Sequence, residues 1–281
     1  MNNSLQSRIE EIINEPILRF GRDSGVIKTI SGKEYFFKGG YPSPTYQCEA
    51  NGIKELAKAN AIRVAEVIAV NEDFIITEYI HSGRHSDDIY EIFGRELAQL
   101  HRFKSDIFGF YEDNFIGANP QLNIPSDNEK SNWIEFYFNK RLLYQYKLTE
   151  QNGRASASLR SGFSKLESVI GDVLNESTEE PTLIHGDLWS GNYICNEHGK
   201  VVLIDPAVYY GHREADLAMT KLFGGFPPAF YDAYIQEYPL KEGWEYRENL
   251  YKLYHVLNHL NLFGRSYLSE AEYLINSYIN R

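Results

Sequence analysis

The first 80 residues alternate short apolar runs with turn residues, and this pattern predicts a small antiparallel sheet. An amphipathic helix over residues 5–14 is expected to end at Pro16, because proline cannot continue a helix. Residues 45–60 carry apolar positions at helical spacing and predict one main helix among the strands. The strands themselves are expected at 17–20, 26–30, 34–38, 61–70 and 73–80.

From Asp87 onward the apolar positions recur mainly at helical spacing, which predicts a larger and mostly helical part. Residues 106–125 are expected to form a loop-rich insertion, and residues 152–161 a loop or a helix cap. The chain is therefore predicted to be an α+β protein with two parts, residues 1–80 and 81–281. Helices of the second part are expected at 87–101, 132–148, 163–174, 217–223, 230–238, 244–263 and 269–279.

One stretch with a different pattern interrupts the helical part. It contains His185-Gly186-Asp187, then Asn192, then two apolar runs that predict a hairpin, and it ends on Asp205. A hairpin can bring Asp187, Asn192 and Asp205 to one edge. The spacing H-G-D-x-x-x-x-N, followed by a hairpin and I-D-P, is that of a kinase catalytic loop and its metal-binding aspartate. A polar turn with capping residues is the alternative, and the full spacing disfavours it.

The residue types at these three positions fit phosphoryl transfer. The reaction needs a carboxylate that orients the attacking hydroxyl and accepts its proton, and Asp187 has the corresponding place. It also needs oxygen ligands for Mg²⁺, which prefers carboxylate and carbonyl oxygen to nitrogen. Asn192 and Asp205 supply one of each, so the sequence predicts a magnesium site there.

A lysine closes the third predicted strand, at the place of the nucleotide-binding lysine of kinases. This residue is Lys38, and it is expected to reach the phosphates of a nucleotide. Kinases align such a lysine with a glutamate from the following helix. Glu49 is favoured for this part because it leaves the apolar residues of the helix free to pack; Glu55, three positions before Lys58, is the alternative.

Two further stretches are candidates for nucleotide contacts. The turn at 21–25 carries Arg22 and Ser24 but lacks a G-x-G-x-x-G pattern, so it predicts an ordinary hairpin turn, although Ser24 could still contact phosphate. A hinge is expected where the last strand ends, and there the backbone of Glu78 and Ile80 would face the adenine.

Composition narrows the class of protein. The chain has 281 residues, of which 43% are hydrophobic and 24% charged, which is typical of a globular protein. A net charge of -11 argues against broad nucleic-acid binding, which needs a basic surface. No apolar run approaches 18 residues and the first residues lack a signal-peptide pattern, so we expect a cytoplasmic protein without a membrane span.

His255 and His259 have zinc-like spacing, but Val256 replaces the glutamate of H-E-x-x-H and disfavours a metal role.

Several longer segments resemble one family of small-molecule kinases. The chain is similar to the fructosamine-3-kinases, also called ketosamine 3-kinases, within the aminoglycoside- and choline-kinase-like phosphotransferases. H-G-D alone is shared by many such kinases, whereas the longer segments are specific to this family. The matching segments are HGDLWSGN (185–192), DPAVYYGHREADLA (205–218), LFGGFP (222–227), HVLNHLNLFG (255–264), NFIG (114–117) and WIEFYFNKRL (133–142).

The resemblance implies a protein-kinase-like fold with a nucleotide-binding lobe (1–80) and a catalytic, substrate-binding lobe (81–281). It implies ATP and Mg²⁺ as cofactors, with Asp187 as base, Asn192 and Asp205 as metal ligands, and Lys38 and Glu49 as the nucleotide-aligning pair. The family phosphorylates the 3-hydroxyl of ketosamines, which are sugars attached to small amines or proteins by glycation. The 3-phosphate makes the adduct labile, so the activity removes glycation.

The resemblance also implies residues around the base. Asp216 would brace the catalytic loop and His185 would support it, while Trp189 and Phe226 could offer aromatic faces to a sugar or could only pack the lobe. Two other functions stay open: a kinase for an aminoglycoside, aminoalcohol or free sugar, and an inactive nucleotide-binding module. The atypical turn at 21–25 leaves the phosphate-covering contacts open. The sequence does not separate fructosamine from ribulosamine, or indicate an oligomeric state.

Overall fold

The computed structural model describes residues 2–21, 23–177 and 179–279, and it divides by contacts into two compact units. The first unit contains the residues up to Ile89 together with Asn192–Pro206, and the second contains Tyr90–Gly191 together with the residues from Ala207. The candidate metal ligands therefore lie in the first unit, although they follow the catalytic loop in sequence. The predicted lobe boundary at residue 80 stays a prediction.

Twelve strands and ten α-helices lie within the described residues. The strands are β1 (Ile17–Arg19), β2 (Ser24–Thr29), β3 (Glu34–Gly39), β4 (Arg63–Val64), β5 (Val67–Val70), β6 (Phe74–Glu78), β7 (Asn114–Ile116), β8 (Asn119–Gln121), β9 (Thr182–Ile184), β10 (Tyr193–Cys195), β11 (Val201–Leu203) and β12 (Tyr209–Gly211). The helices are α1 (Asn2–Ile13), α2 (Thr45–Lys58), α3 (Ile89–Leu100), α4 (Trp133–Tyr137), α5 (Tyr144–Gln151), α6 (Ala157–Leu174), α7 (Arg213–Thr220), α8 (Pro228–Glu237), α9 (Trp244–Phe263) and α10 (Leu268–Ile279).

The first unit is built on a five-stranded antiparallel sheet in the order β1-β2-β3-β6-β5. Strand β6 is buried on both faces because its side chains alternate between two clusters. Phe74 and Ile76 pack with Ile9 of α1, whereas Ile75 packs with Ile53 of α2. The sheet is thus covered by one helix on each face. Since Lys38 lies directly opposite Ile75 across β3 and β6, α2 covers the face from which Lys38 projects.

Residues 61–70 were predicted as one strand, and the structure corrects this to two. Strand β4 pairs in parallel with β11, whereas β5 pairs with β6 of the main sheet. The chain changes sheets at Ala65 and Glu66, where the Ala65 N–H donates to the Leu203 carbonyl and the Glu78 N–H donates to the Glu66 carbonyl. An apolar run carries no signal for such a change of partner.

The predicted hairpin after the catalytic loop is confirmed. Strands β10 and β11 pair antiparallel, with Tyr193 opposite Leu203 and Cys195 opposite Val201. Together with β4 they form a three-stranded sheet in the first unit.

The turn at 21–25 was predicted too long, because Ser24 and Gly25 already belong to β2. Arg22 of the same turn lies outside the described residues.

The second unit is mainly helical, and the predicted helix α9 at 244–263 is confirmed. Three other predictions are corrected. Helix α6 begins at Ala157 rather than 163, because the Ser156 hydroxyl caps it by accepting from the Leu159 N–H at 2.9 Å. Helix α7 begins at Arg213 rather than 217, so Asp216 lies inside it. The expected insertion at 106–125 contains the short hairpin β7–β8, whose three-residue strands are too short to show an alternating pattern.

The helix predicted over 132–148 contains a π-helical segment. Residues 138–143 adopt this wider helix between α4 and α5.

No helix within residues 2–21, 23–177 and 179–279 combines the length and apolarity that crossing a membrane requires. The cytoplasmic location stays a prediction.

Candidate active site

A charged triangle of side chains stands at the end of β3. Lys38 donates from Nζ to Glu49 Oε1 at 2.9 Å and to Asp205 Oδ1 at 2.5 Å. Ser24 lies directly opposite Lys38 across β2 and β3, so both side chains project from the same face of the sheet. Glu55 instead forms an ion pair with Lys58 at 2.7 Å. The structure thus places Glu49, and not Glu55, beside the lysine.

Burial and charge act against each other in this triangle. Burial would lower the pKa of Lys38, but the carboxylates of Glu49 and Asp205 outweigh it and raise that pKa above its ordinary value. Burial raises the pKa of Glu49, and Asp205 adds to this rise against the opposing effect of Lys38. Lys38 is therefore held as a cation at neutral pH, which suits a residue expected to meet phosphate.

The two candidate metal ligands begin and end the β10–β11 hairpin. The Ile204 N–H donates to the Asn192 carbonyl at 3.1 Å, which brings Asn192 next to the residue before Asp205. Asp205 has a left-handed backbone with φ of 52°, a conformation that Asp tolerates better than most residues. A side-chain amide and a carboxylate at one hairpin end are oxygen donors that suit Mg²⁺.

These two residues would need help from a substrate to hold an ion. The described residues contain no group of three or more His, Cys, Asp or Glu side chains that could enclose a metal ion. Mg²⁺ is usually bound by one or two carboxylates together with substrate phosphates, and not by a complete protein cage. The donor set of Asn192 and Asp205 fits this mode.

A cavity of about 380 Å³ extends beside the triangle within the first unit. Glu49 and Asp205 line one part of it, and residues 78–80 of the predicted hinge line another. The Glu78 carboxylate is occupied, because it contacts Arg63 and accepts from the Glu66 N–H. Because the Glu78 N–H also donates to the Glu66 carbonyl, the Glu78 carbonyl and the backbone of Ile80 are the candidate hinge contacts for a base. The other lining residues are Phe36, Ile53, Ala65, Thr77, Ser82, Ile194 and Ile204, most of them apolar and suited to a flat ring.

The catalytic loop lies in the second unit, where a buried carboxylate fixes its backbone. The N–H groups of His185 and Gly186 donate to the two oxygens of Asp216 at 2.7 and 2.8 Å. Gly186 has φ of 81°, and a Cβ there would lie 2.0 Å from the Ala207 carbonyl oxygen, so only glycine fits. The Asp187 N–H donates to His185 Nδ1 at 3.3 Å. The backbone from His185 to Asp187 is therefore held in a rigid turn.

A second histidine, which the sequence analysis did not identify, completes this support. His101 follows α3, is fully buried, and contacts Asp216 Oδ2 through Nε2 at 3.2 Å and the Tyr234 hydroxyl through Nδ1 at 2.7 Å. Burial lowers the pKa of His101, so the ring is neutral at pH 7. Since Asp216 can only accept, Nε2 carries the proton and Nδ1 accepts from Tyr234.

Replacing Asp216 with Asn is expected to destabilise the fold and to lower kcat. Burial alone would raise the pKa of Asp216, but the hydrogen bonds that it accepts from His101 and from the Gly186 N–H hold that pKa below its usual value. The carboxylate is therefore ionised, and it accepts three bonds. An amide nitrogen cannot accept, so at least one buried N–H loses its partner, at a cost on the order of 2 kcal/mol. Urea unfolding measures the loss, and Asp172→Asn on the exposed face of α6 is the control. A loss no larger than that of the control would contradict the bracing role.

The aromatic residues near the loop separate into a buried and an exposed group. Phe226 is buried, with ring centroids 5.6 Å from Phe93 and 4.9 Å from Phe230, so its contact with a sugar stays a prediction. Trp189 is half-buried, and a Cβ at Gly191 would lie 2.4 Å from its ring, so glycine lets the indole fold back over the loop. The ring next to Trp189 is that of Phe223, at 5.7 Å.

His255 and His259 lie on one face of α9 and are neutral at pH 7. Burial lowers the pKa of His255 to about 3 and that of His259 to about 4. Because the unfolded chain binds a proton near pH 6.5 and folded His255 does not until about pH 3, stability is lost as the pH falls through that window.

His255→Gln is therefore expected to make the protein less sensitive to acid. Between about pH 7 and about pH 5.5 the free energy of unfolding should fall by about 1 kcal/mol less in the variant than in the wild type. Urea titrations at both pH values measure this difference. An equal loss in both proteins would show that His255 is not held neutral by the fold.

Comparison with known proteins identifies a family. A sequence model of the fructosamine kinase family matches residues 23–281 of this chain. The chain is 40% identical over 241 residues to the chloroplastic protein-ribulosamine 3-kinase of Arabidopsis thaliana, and the aligned part covers 83% of this chain and 72% of the plant protein.

Solved structures agree with this match. The structure is similar to that of a candidate fructosamine-3-kinase from Thermobifida fusca, with a TM-score of 0.86, 29% identity and 99% of each chain covered. It is also similar to the choline kinase LicA of Streptococcus pneumoniae, with a TM-score of 0.67 over 100% of this chain and 99% of that one, although 16% identity concerns the fold alone. The predicted protein-kinase-like fold is confirmed. With the family model matching most of its length, the chain belongs to the fructosamine kinase family.

Proposed function

We propose that this protein is an ATP-dependent kinase that phosphorylates the 3-hydroxyl of ketosamines. The observation that carries the proposal is the loop at Asp187, whose backbone is fixed on the buried carboxylate of Asp216 and which Asn192 and Asp205 follow at kinase spacing. The identity of 40% to a protein-ribulosamine 3-kinase supports the choice of acceptor.

Asp187 acts as the catalytic base in this proposal. The oxygen of the substrate 3-hydroxyl forms a bond to the γ-phosphorus of ATP, and the bond from that phosphorus to the β–γ bridging oxygen breaks, so ADP leaves. The hydroxyl proton passes to the Asp187 carboxylate. The rigid turn from His185 to Asp187 orients this carboxylate, which keeps the acceptor hydroxyl in line with the phosphate.

The residues of the first unit bind the nucleotide. Lys38, aligned by Glu49, meets the phosphates, and Ser24 on the same face of the sheet adds a hydroxyl. The adenine occupies the cavity, where the backbone of Glu78 and Ile80 binds its edge.

Mg²⁺ belongs to the same proposal. Asn192 and Asp205 would hold it through their side-chain oxygens. When bound, the ion neutralises charge on the phosphates of ATP. Within the first unit Asp205 also pairs with Lys38, which brings the phosphate-binding cation and the metal ligand to one place.

The acceptor is a ketosamine on a small amine or on a protein. Trp189 lies two residues after Asp187 and offers an aromatic face to the sugar, while His185 supports the loop. Phe226, the other aromatic candidate, packs with Phe93 and Phe230. The net charge of -11 is compatible with an acceptor that carries a protonated amine and not with broad nucleic-acid binding.

A phosphotransfer assay across acceptors tests the proposal. The protein is incubated with Mg-ATP and, in parallel, fructosyl-lysine, ribulosyl-lysine, an aminoglycoside and choline, and ADP release is followed. We expect turnover of at least one ketosamine with a kcat/KM at least about tenfold above the other acceptors. Strong turnover of the aminoglycoside or choline without turnover of either ketosamine would favour another small-molecule kinase. No turnover of any acceptor would favour a nucleotide-binding module.

A further inference from the structure

A group of four rings extends outward from the tryptophan of the catalytic loop. Phe223, His259, Phe263 and Tyr267, called here the outer aromatic patch, are linked by ring contacts. The centroid of Phe223 lies 5.7 Å from Trp189 and 5.1 Å from His259, and His259 stacks on Phe263 at 5.5 Å and on Tyr267 at 5.2 Å. Phe223 is 50% exposed and Phe263 66% exposed. The patch is thus continuous with the catalytic loop and open to solvent.

The backbone at Phe223 is unusual in a way that points to function. Phe223 has φ of 59° and ψ of 40°, a left-handed conformation that bulky residues rarely adopt, and Gly224 and Gly225 also have positive φ. The chain therefore turns so that Phe223 faces solvent while Phe226 is buried. Holding a large apolar side chain in a strained and exposed position costs stability, and such strain is typical of binding sites.

His259, at the centre of the patch, carries a polar atom that protein groups do not satisfy. Its Nδ1 is buried and has no hydrogen-bond partner among the described residues. Since burial keeps the ring neutral at pH 7, His259 is an uncharged link between Phe223 and Phe263. The nearest basic residue along the chain, Arg265, donates to the Gly153 carbonyl at 3.1 Å.

The position of the patch fits one part of a ketosamine. In such a compound the amine is attached at C1 and the reacting hydroxyl at C3, so three carbons separate the amine nitrogen from the oxygen that meets Asp187. The amine is protonated at neutral pH, and aromatic faces attract cations by about 0.5–1 kcal/mol at exposed sites, about two- to fivefold in affinity. Such faces also pack against aromatic or extended apolar carriers.

We propose that the outer aromatic patch binds the amine and carrier of the ketosamine and makes the enzyme prefer aromatic or long apolar carriers to small ones. This inference rests on the proposed function and adds to it the class of carrier. The sugar lies against Trp189, and the carrier runs over Phe223 toward Phe263.

A pair of substrates with the same sugar tests the inference. The specificity ratio is the kcat/KM for the benzylamine adduct divided by that for the methylamine adduct, measured with fructosyl and with ribulosyl compounds and taken for the sugar that is turned over faster. We expect this ratio to be about tenfold in the wild type. In Phe263→Ala it should fall by about three- to fivefold, mainly through KM for the benzyl compound, because the ring that packs against the benzyl group is lost while the protonated amine is common to both substrates. Phe263→Tyr should restore it, because the tyrosine keeps the ring.

Tyr273→Ala is the matched control. Tyr273 lies on α10, is 68% exposed and has no ring contact to the patch among the described residues, so its removal should leave the ratio unchanged. A ratio that is the same in Phe263→Ala and the wild type would overturn the inference, and so would an equal loss for both substrates. Wild-type protein that turns over neither the fructosyl nor the ribulosyl compounds would mark a failure of the proposed function itself, and the inference would fail with it.

Discussion

Asp187→Asn is expected to lower kcat by about 10² or more while ATP still binds. The amide has the shape of the carboxylate but cannot accept the hydroxyl proton, so only the base is lost. The turn that carries it should stay intact, because its bonds to Asp216 come from the backbone of His185 and Gly186. Steady-state kinetics give kcat, and calorimetric titration with ATP gives the affinity.

A loss of kcat in Asp187→Asn can be assigned to the missing base only if the variant keeps the stability and the ATP affinity of the wild type. The variant should unfold at the same urea concentration as the wild type and bind ATP within about twofold. A variant with near-native kcat would remove Asp187 from the role of base. A loss of ATP affinity as large as the loss of kcat would instead point to a role in nucleotide binding.

Asp205→Ala is expected to abolish Mg²⁺-dependent nucleotide binding and turnover. Asn192, the other candidate ligand, carries no charge to offset that of the ion, and Lys38 also loses the carboxylate that it contacts at 2.5 Å. ATP titrations with and without Mg²⁺ measure the effect. In the wild type Mg²⁺ should tighten binding, and in the variant it should not.

A second variant, Asp205→Asn, is needed because the backbone at residue 205 is left-handed. Its left-handed conformation strains alanine by about 1–2 kcal/mol, whereas Asn tolerates it and keeps one oxygen ligand without the charge. Asp205→Asn should therefore be as stable as the wild type and still lose most of the Mg²⁺ dependence. If Mg²⁺ dependence were unchanged in both variants, Asp205 would be an ordinary residue at a strand end.

The sequence predicted the parts of the site whose spacing is set by local structure. The hairpin between Asn192 and Asp205 follows from two β-type runs around a turn, and the structure contains it. The choice of Glu49 over Glu55 came from the helix face, since it leaves Ile53 and Leu56 to pack, and both are buried in the structure. The roles of these residues in catalysis stay predictions.

Contacts between residues far apart in the chain and unusual backbone conformations could not be predicted from the sequence in this way. His101 is 115 residues from Asp216, and nothing around it distinguishes a buried support from an ordinary helix end. Residues 61–70 split between two sheets because β4 pairs with β11, a choice made by tertiary contacts. The sequence favoured Phe226 as the aromatic beside the pocket, whereas the left-handed turn at Phe223 brings that residue next to Trp189. No propensity rule anticipates a phenylalanine in that conformation.

The position of the transferred phosphate decides whether this protein is a ketosamine 3-kinase. The protein is incubated with Mg-ATP and a fructosyl- or ribulosyl-lysine, and the product is examined by ³¹P and ¹³C NMR to find the carbon that bears the phosphate. We expect phosphate on the oxygen of C3, and an analogue that lacks the 3-hydroxyl should not be phosphorylated. Phosphate on another hydroxyl, or none on either ketosamine while an aminoglycoside or aminoalcohol is turned over, would contradict it.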